Sequence, residues 1–181
     1  MEKLVDLLKE HDMDTYYHSF RVAKLSLQIS RIMGLTEREQ QVAYYCGLLH
    51  DIGKLEVDKR ILTKSDKLTQ DEWSSIQQHP ILGYQILKRY PIFDNEINYT
   101  VLFHHERLNG SGYPFKLSED QIPVNARIVA VAESYDAMIN NRPYSRKKSV
   151  KEALNLILSE KGTLFDPIVV DAIYQYLNDK V

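Results

Sequence analysis

The chain has 181 residues and a mass of 21.1 kDa. That is short for two domains and long enough for one real core, since a chain of this size buries about 70% of its extended surface. A hydrophobic fraction of 44% argues against disorder, and a formal charge of -2, from 23 Lys plus Arg against 25 Asp plus Glu, argues against a protein that coats long nucleic acid through bulk charge.

The longest apolar stretch, Val42 to Leu49, is too short to cross a bilayer. Met1 to Asp6 carry no signal-peptide core. The single cysteine, Cys46, excludes an internal disulfide and fits a reducing cytoplasm. The expectation is a cytoplasmic protein with neither a membrane nor a long nucleic acid as partner.

Helical periodicity runs through the whole chain, with no internal repeat and no low-complexity segment. A short helix is predicted from Glu2 to Glu10, and a longer one from about Thr15 to Met33, closed by Gly34. Thr36 with Glu39 forms a capping box for a helix reaching about Ile52, which Gly53 is placed to end. Thr69 with Glu72 repeats the signature before a helix ending near His79, where Pro80 marks a break. Ile81, Leu82, Ile86 and Leu87 resume helical spacing, and Pro91 separates them from a helix over about Asp94 to Glu106. Asn109 to Pro114 must be a loop. Helices from about Pro123 to Asn140, Ser149 to Glu160 and Asp166 to Leu177 complete the chain, the last with Asp166 as N-cap and Pro167 as first helical residue. The prediction is an all-α fold in a single compact helical domain over residues 1–181, without a linker.

Histidines and carboxylates recur together along this pattern. Asp14 and His18 are four apart and share a helix face. His50 and Asp51 sit at a helix end directly after the apolar Gly47, Leu48 and Leu49. Burying that Asp charge without a partner would be expensive, and a cation would remove the cost. His104, His105 and Glu106 form a second cluster ahead of the glycine-bearing loop. Glu133 and Asp136 lie on one face of the otherwise apolar Ile128 to Met138. Cys46 is read as a small buried apolar residue, and His11 as a structural histidine.

Imidazole and carboxylate ligands suit first-row transition metals such as Fe, Mn, Zn or Ni, and a cysteine-rich zinc site is excluded. There are ligands enough for two metals, with Asp51 able to bridge them. Such a pair generates hydroxide from water and neutralises charge on phosphoryl oxygens. Lys54 is then a point charge for the phosphate, a proton donor to the leaving oxygen, or an ordinary solvated lysine. From the ligands alone, a metal phosphohydrolase, an oxygenase and an inert metal site all remain open.

His50-Asp51-Ile52-Gly53-Lys54 resembles the signature of the HD superfamily of metal-dependent phosphohydrolases, and the run His104 to Pro114 resembles the extended motif of its HD-GYP branch. Weaker matches follow in the same order around His18, His79, Glu133 and Gly162, so the motif-bearing region covers about residues 14–177. The resemblance implies an all-helical fold with a metal site between helices, holding two or three divalent ions, iron or manganese. It implies hydrolysis of cyclic di-GMP, by a metal-activated hydroxide attacking the 3'-5' phosphodiester, to the linear dinucleotide or on to GMP.

Carried over by position, the implied ligands are His18, His50, Asp51, His79, His104 and His105, with Glu133 at the last carboxylate and Asp14 at the position that serves a third metal. Lys54 and Asp51 are the implied catalytic residues. Gly112, Tyr113, Pro114, Arg142 and Arg146 are the implied substrate contacts. The chain departs from the branch at Glu133 and Asn109, where Asp is usual, at Asp14, where Glu is usual, and at Ser145, where a basic residue is expected beside Arg146. Those departures motivate two alternatives, a catalytically degenerate binding or signalling module and a phosphohydrolase of another nucleotide. Members of the branch often carry a sensory or receiver domain; here the helical domain starts almost at Met1, so regulation is expected to be intermolecular, through signalling protein partners, absent, or on a part not included in this sequence.

Overall fold

The protein was analysed as a computed structural model that describes residues 2–64, 66–140 and 147–179. Among these, helices account for all the regular structure, and only two isolated β-bridges, Asn109 with Ser118 and Lys161 with Phe165, interrupt them.

Helix α1 spans Glu2–His11 and α2 spans Met13–Ile32. The second starts earlier than its periodicity suggests because Asp12 is the N-cap, its carboxylate accepting from the backbone of Asp14 and Thr15. Helix α3, Glu37–Leu49, opens on the predicted Thr36–Glu39 capping box. It stops at Leu49, short of the predicted Ile52, and a 3-10 turn over Ile52–Glu56 takes over.

Gly53 therefore does not close α3; it lies inside the 3-10 turn, where a Cβ would stand 1.9 Å from the carbonyl oxygen of His79. The residue is small because two backbones meet there. Helix α4, Lys59–Leu62, is a single turn capped by Asp58, too short to show a period in sequence.

Helix α5 covers Gln70–Ile76 behind the second predicted capping box, and α6 covers His79–Leu87. The break between them falls at Gln77 and Gln78, before the predicted one. Pro80 sits in the first turn of α6, where its missing N–H leaves no bond unmade. Helix α7, Asn95–Phe103, is capped by Asp94 and ends before His104, not at Glu106. Helices α8 (Val124–Ile139), α9 (Val150–Ser159) and α10 (Pro167–Asn178) follow, the last with Asp166 and Pro167 in their predicted roles.

Helix α2 lies against α3, α8 and α10, while α7 contacts α3, α6 and α8, and α6 packs on the 3-10 turn. The core threads these contacts through Val22 and Ile29 of α2, Leu49 of α3, Val101 of α7, and Ile128 and Val131 of α8, all fully buried. Each such side chain contributes about 1.5–3 kcal/mol on burial. Cys46 belongs to this core; burial pushes its thiol up and leaves it a packing residue. His11 bonds the carbonyl of Val57 at 3.2 Å. Among the described residues no helix is long and apolar enough to cross a membrane.

The approach of the 3-10 turn to α6 is what brings Asp51 beside His79. Gly53→Ala is expected to force the two apart and to cost about 1–3 kcal/mol. A lowered midpoint in urea unfolding would register this, and an unchanged midpoint would mean the contact is not tight in solution.

Candidate metal centre

Three histidines are held by the same local device. His50, His79 and His104 each follow the last turn of a helix, and each Nδ1 lies within 2.7–2.8 Å of the carbonyl three residues earlier, those of Gly47, Ile76 and Val101. A carbonyl only accepts, so Nδ1 carries the proton and the lone pair stays on Nε2. A fourth, His18, donates from Nδ1 to Asp136 Oδ2 at 2.7 Å. Arg21 forks the same carboxylate, Nε to Oδ1 at 2.8 Å and Nη2 to Oδ2 at 3.0 Å, and Asn140 donates to Oδ1 at 2.9 Å. Partners of this kind fix ring orientation and raise ligand basicity.

The Nε2 atoms gather around Asp51. Its Oδ2 lies 3.3 Å from His50 Nε2 and 3.8 Å from His18 Nε2, and its Oδ1 lies 3.3 Å from His79 Nε2. His79 Nε2 and His104 Nε2 are 3.2 Å apart. Lys54, three residues after Asp51, places Nζ 2.7 Å from Oδ2. His105 Nδ1 lies 3.6 Å from Glu133 Oε2. Two sets emerge, His18 with His50 and Asp51, and His79 with His104 and His105, the ligand atoms within each lying within 4.8 Å of one another. Asp51 touches both sets, one oxygen to each.

Burial works against charge on the imidazoles. It pushes His79 down to about 4, against the pull of Asp51, and holds His104 and His105 well below the usual imidazole range, where neighbouring rings add to the effect. Burial also disfavours charge on Asp51, but Lys54 and His50 outweigh it and hold this carboxyl well below the usual range. His50 is raised on balance, because Asp51 and Glu133 overcome its burial.

The donor set fits a divalent cation. His50 Nε2 and Glu133 Oε2 are buried without a hydrogen-bond partner, a costly state that coordination would relieve. The lone pairs of His79 and His104 face one another at a distance that only a cation or proton makes favourable, and burial disfavours the proton. The C-terminal ends of α3 and α7 point their partial negative charge at the same space, which also favours a cation.

The loop after His105 forms one wall. Gly112 packs so closely on the backbone of His105 to Arg107 that a Cβ would stand 2.4 Å from the Cα of Glu106. Tyr113 donates its N–H to the His105 carbonyl at 3.2 Å and stacks its ring on the imidazole, centroids 4.6 Å apart. A cis peptide bond joins Tyr113 to Pro114. Asn109 accepts from the backbone and hydroxyl of Ser111, so the amide keeps the turn that Asp would make.

Of the sequence-derived candidates, His18, His50, Asp51, Lys54, His79, His104, His105 and Glu133 come together, with Gly112, Tyr113 and Pro114 beside them. Asp14 does not join either set: it is exposed, one turn before His18 on α2. Arg142 and Arg146 lie outside the described residues. Sequence reasoning gave no role to Arg21, and it grouped Glu106 with His104 and His105, whereas Glu106 belongs to neither of the two sets. Arg21 was findable, three residues after His18 on the same helix face. Glu106 is buried and accepts from the backbone N–H groups of Phe115 at 2.7 Å and Leu117 at 3.0 Å, a tether that no local spacing announces.

Comparison with known proteins bears on these residues as a group. Residues 2–169 match the family model of the HD domain. A cyclic di-GMP phosphodiesterase of Thermotoga maritima is 42% identical over 173 residues, which cover 94% of this chain and 47% of that protein. RpfG of Xanthomonas campestris, named a cyclic di-GMP phosphodiesterase response regulator, is 34% identical over 96% of this chain and 46% of its own length. The chain thus spans less than half the length of these two relatives. Among solved structures, a cyclic GMP-AMP-specific phosphodiesterase of Vibrio cholerae aligns with a TM-score of 0.75 over 98% of this chain and 48% of its own, a likeness of fold at 20% identity.

Depressed imidazoles make the metal-free fold sensitive to acid. Unfolded histidines take protons near pH 6.5, whereas folded His79 does so only near 4, and His104 and His105 are shifted the same way. The unfolded state therefore binds more protons over that window, and stability falls as pH drops from about 6.5 toward 4, offset in part by His50. Urea midpoints of chelator-treated protein at stepped pH test this; a flat profile would contradict the buried, neutral cluster.

Proposed function

The chain belongs to the HD domain family, in its HD-GYP branch, and on that premise we propose that it is a metal-dependent phosphodiesterase of cyclic di-GMP. The product would be the linear dinucleotide and, on a second cut, GMP. The observation that carries the reading is the convergence of four Nε2 atoms and the Asp51 carboxylate in one buried space, with Lys54 beside them. The names of the Thermotoga and Xanthomonas relatives support the choice of substrate.

In this reading His18, His50, Asp51, His79, His104, His105 and Glu133 would hold two divalent ions, iron or manganese. When bound, such ions supply a hydroxide nucleophile at neutral pH and neutralise charge on the phosphoryl oxygens. The rest falls to the chain. Asp51 keeps its charge because Lys54 and His50 oppose its burial, so it is ready to accept a cation. The Nδ1 bonds of His50, His79 and His104 aim each Nε2 inward, which removes the cost of orienting these rings during turnover.

Lys54 keeps a fixed positive charge at the mouth of the cluster, where the phosphate arrives. Tyr113, stacked on His105, and the stiff Pro114 make the wall that the nucleotide meets. Gly112 lets that wall stand directly on the cluster. The motif-bearing stretch, about residues 14–177, would form the catalytic unit. The longer arm of Glu133 and the exposed position of Asp14 favour two ions over three.

His50→Ala and Asp51→Ala are each expected to remove metal loading and at least about a hundred-fold of the activity, while helix content is kept. The check is anaerobic purification with elemental analysis, chromatographic identification of products from cyclic di-GMP, and circular dichroism. Full turnover by either variant would refute the placement of the site. Metal binding without turnover in the wild type would instead favour a binding module, and a preference for a mixed cyclic dinucleotide would reassign the substrate.

A further inference from the structure

A run of aromatic rings leads from the outer faces of α6 and α7 to the rim of the metal centre. Tyr84 stacks on Tyr99 with centroids 6.0 Å apart, Tyr99 on Phe103 at 5.9 Å, and Phe103 meets Phe115 edge-on at 5.9 Å and 78°. Phe103 immediately precedes His104, and Phe115 follows Tyr113 and Pro114, so the last contact of the run spans the two edges of the proposed nucleotide wall. Phe115 is 56% exposed. Its backbone is nonetheless fixed, because its N–H donates to buried Glu106 at 2.7 Å. The ring is thus held at the surface on a tethered loop, with Phe103 against it.

We propose that Phe115, braced by Phe103, is the stacking seat for one purine base of the cyclic dinucleotide. The proposal rests on the substrate reading above and adds to it the residue that recognises a base. In a cyclic dinucleotide each base is carried on a sugar bonded directly to the phosphates. A phosphate at the Asp51 cluster therefore sets a base down about one sugar's length away, on the rim that Tyr113, Pro114 and Phe115 form. Every base has a π-face, and stacking on one aromatic ring is worth a five- to hundred-fold gain in binding. The edge-on bracing by Phe103 leaves one face of Phe115 open for that partner.

The test is steady-state hydrolysis of cyclic di-GMP by metal-loaded wild type, Phe115→Ala and Phe115→Tyr, with metal content measured on each sample. The expected result is a KM raised roughly ten-fold in the alanine variant, with kcat and metal content within about two-fold of wild type, and recovery of KM in the tyrosine variant. An unchanged KM in the alanine variant overturns the proposal. So does a parallel fall in kcat and metal content, because Phe115 would then only be holding the loop. A wild type that carries metal but does not cleave cyclic di-GMP overturns the substrate reading itself, and this proposal with it.

Discussion

Asp51 is a charged carboxylate almost sealed from water, and the rest of the site is arranged around keeping it so. Removing such a group from solvent without compensation would cost several kcal/mol. Lys54 supplies part of the compensation at 2.7 Å, and the Nε2 atoms around it leave room for more positive charge. Every other buried polar group at the centre follows from this one. Burial disfavours charge on His79, His104 and His105, so these rings offer lone pairs instead of repulsion to an incoming cation. A fold with an apolar residue at position 51 would have an easier core but would lose the carboxylate that touches both sets.

Helix ends do the aiming. His50, His79 and His104 come from different parts of the chain, yet each is fixed by one bond to the carbonyl three residues back. That carbonyl is one of those an ending helix leaves unpaired, so the bond completes the helix and sets the ring in a single stroke. The geometry of these candidate ligands is thereby tied to where α3, α5 and α7 stop. The close contact of Gly53 with the carbonyl of His79 then sets the spacing between two of these ends.

Much of this was legible in the residues. The capping boxes at Thr36 and Thr69 and the Asp166–Pro167 start gave their helices correctly, because capping is local chemistry. The pairing of His50 with Asp51 behind an apolar run marked the centre, because an isolated carboxylate there made no sense as core. Helix ends were less readable. Gly53 resembled a C-cap in sequence, but its small size answers to a backbone distant in the chain. Pro80 resembled a break, but the first turn of a helix tolerates it. The tethering role of Glu106 escaped because Phe115 and Leu117 are brought near it only by the fold, whereas Arg21 stood on the His18 face of α2 and only its partner Asp136 was hidden. Asp14 matched a motif position, yet its helix leaves it exposed.

Glu106 holds the loop by two backbone hydrogens at once, those of Phe115 and Leu117. A segment pinned at two points arrives at an encounter with its shape already set. Whatever binds against it meets little further ordering entropy from those residues. The same grip narrows the range of molecules that fit, since a wall that does not yield accepts a guest by shape and refuses others without adapting to them.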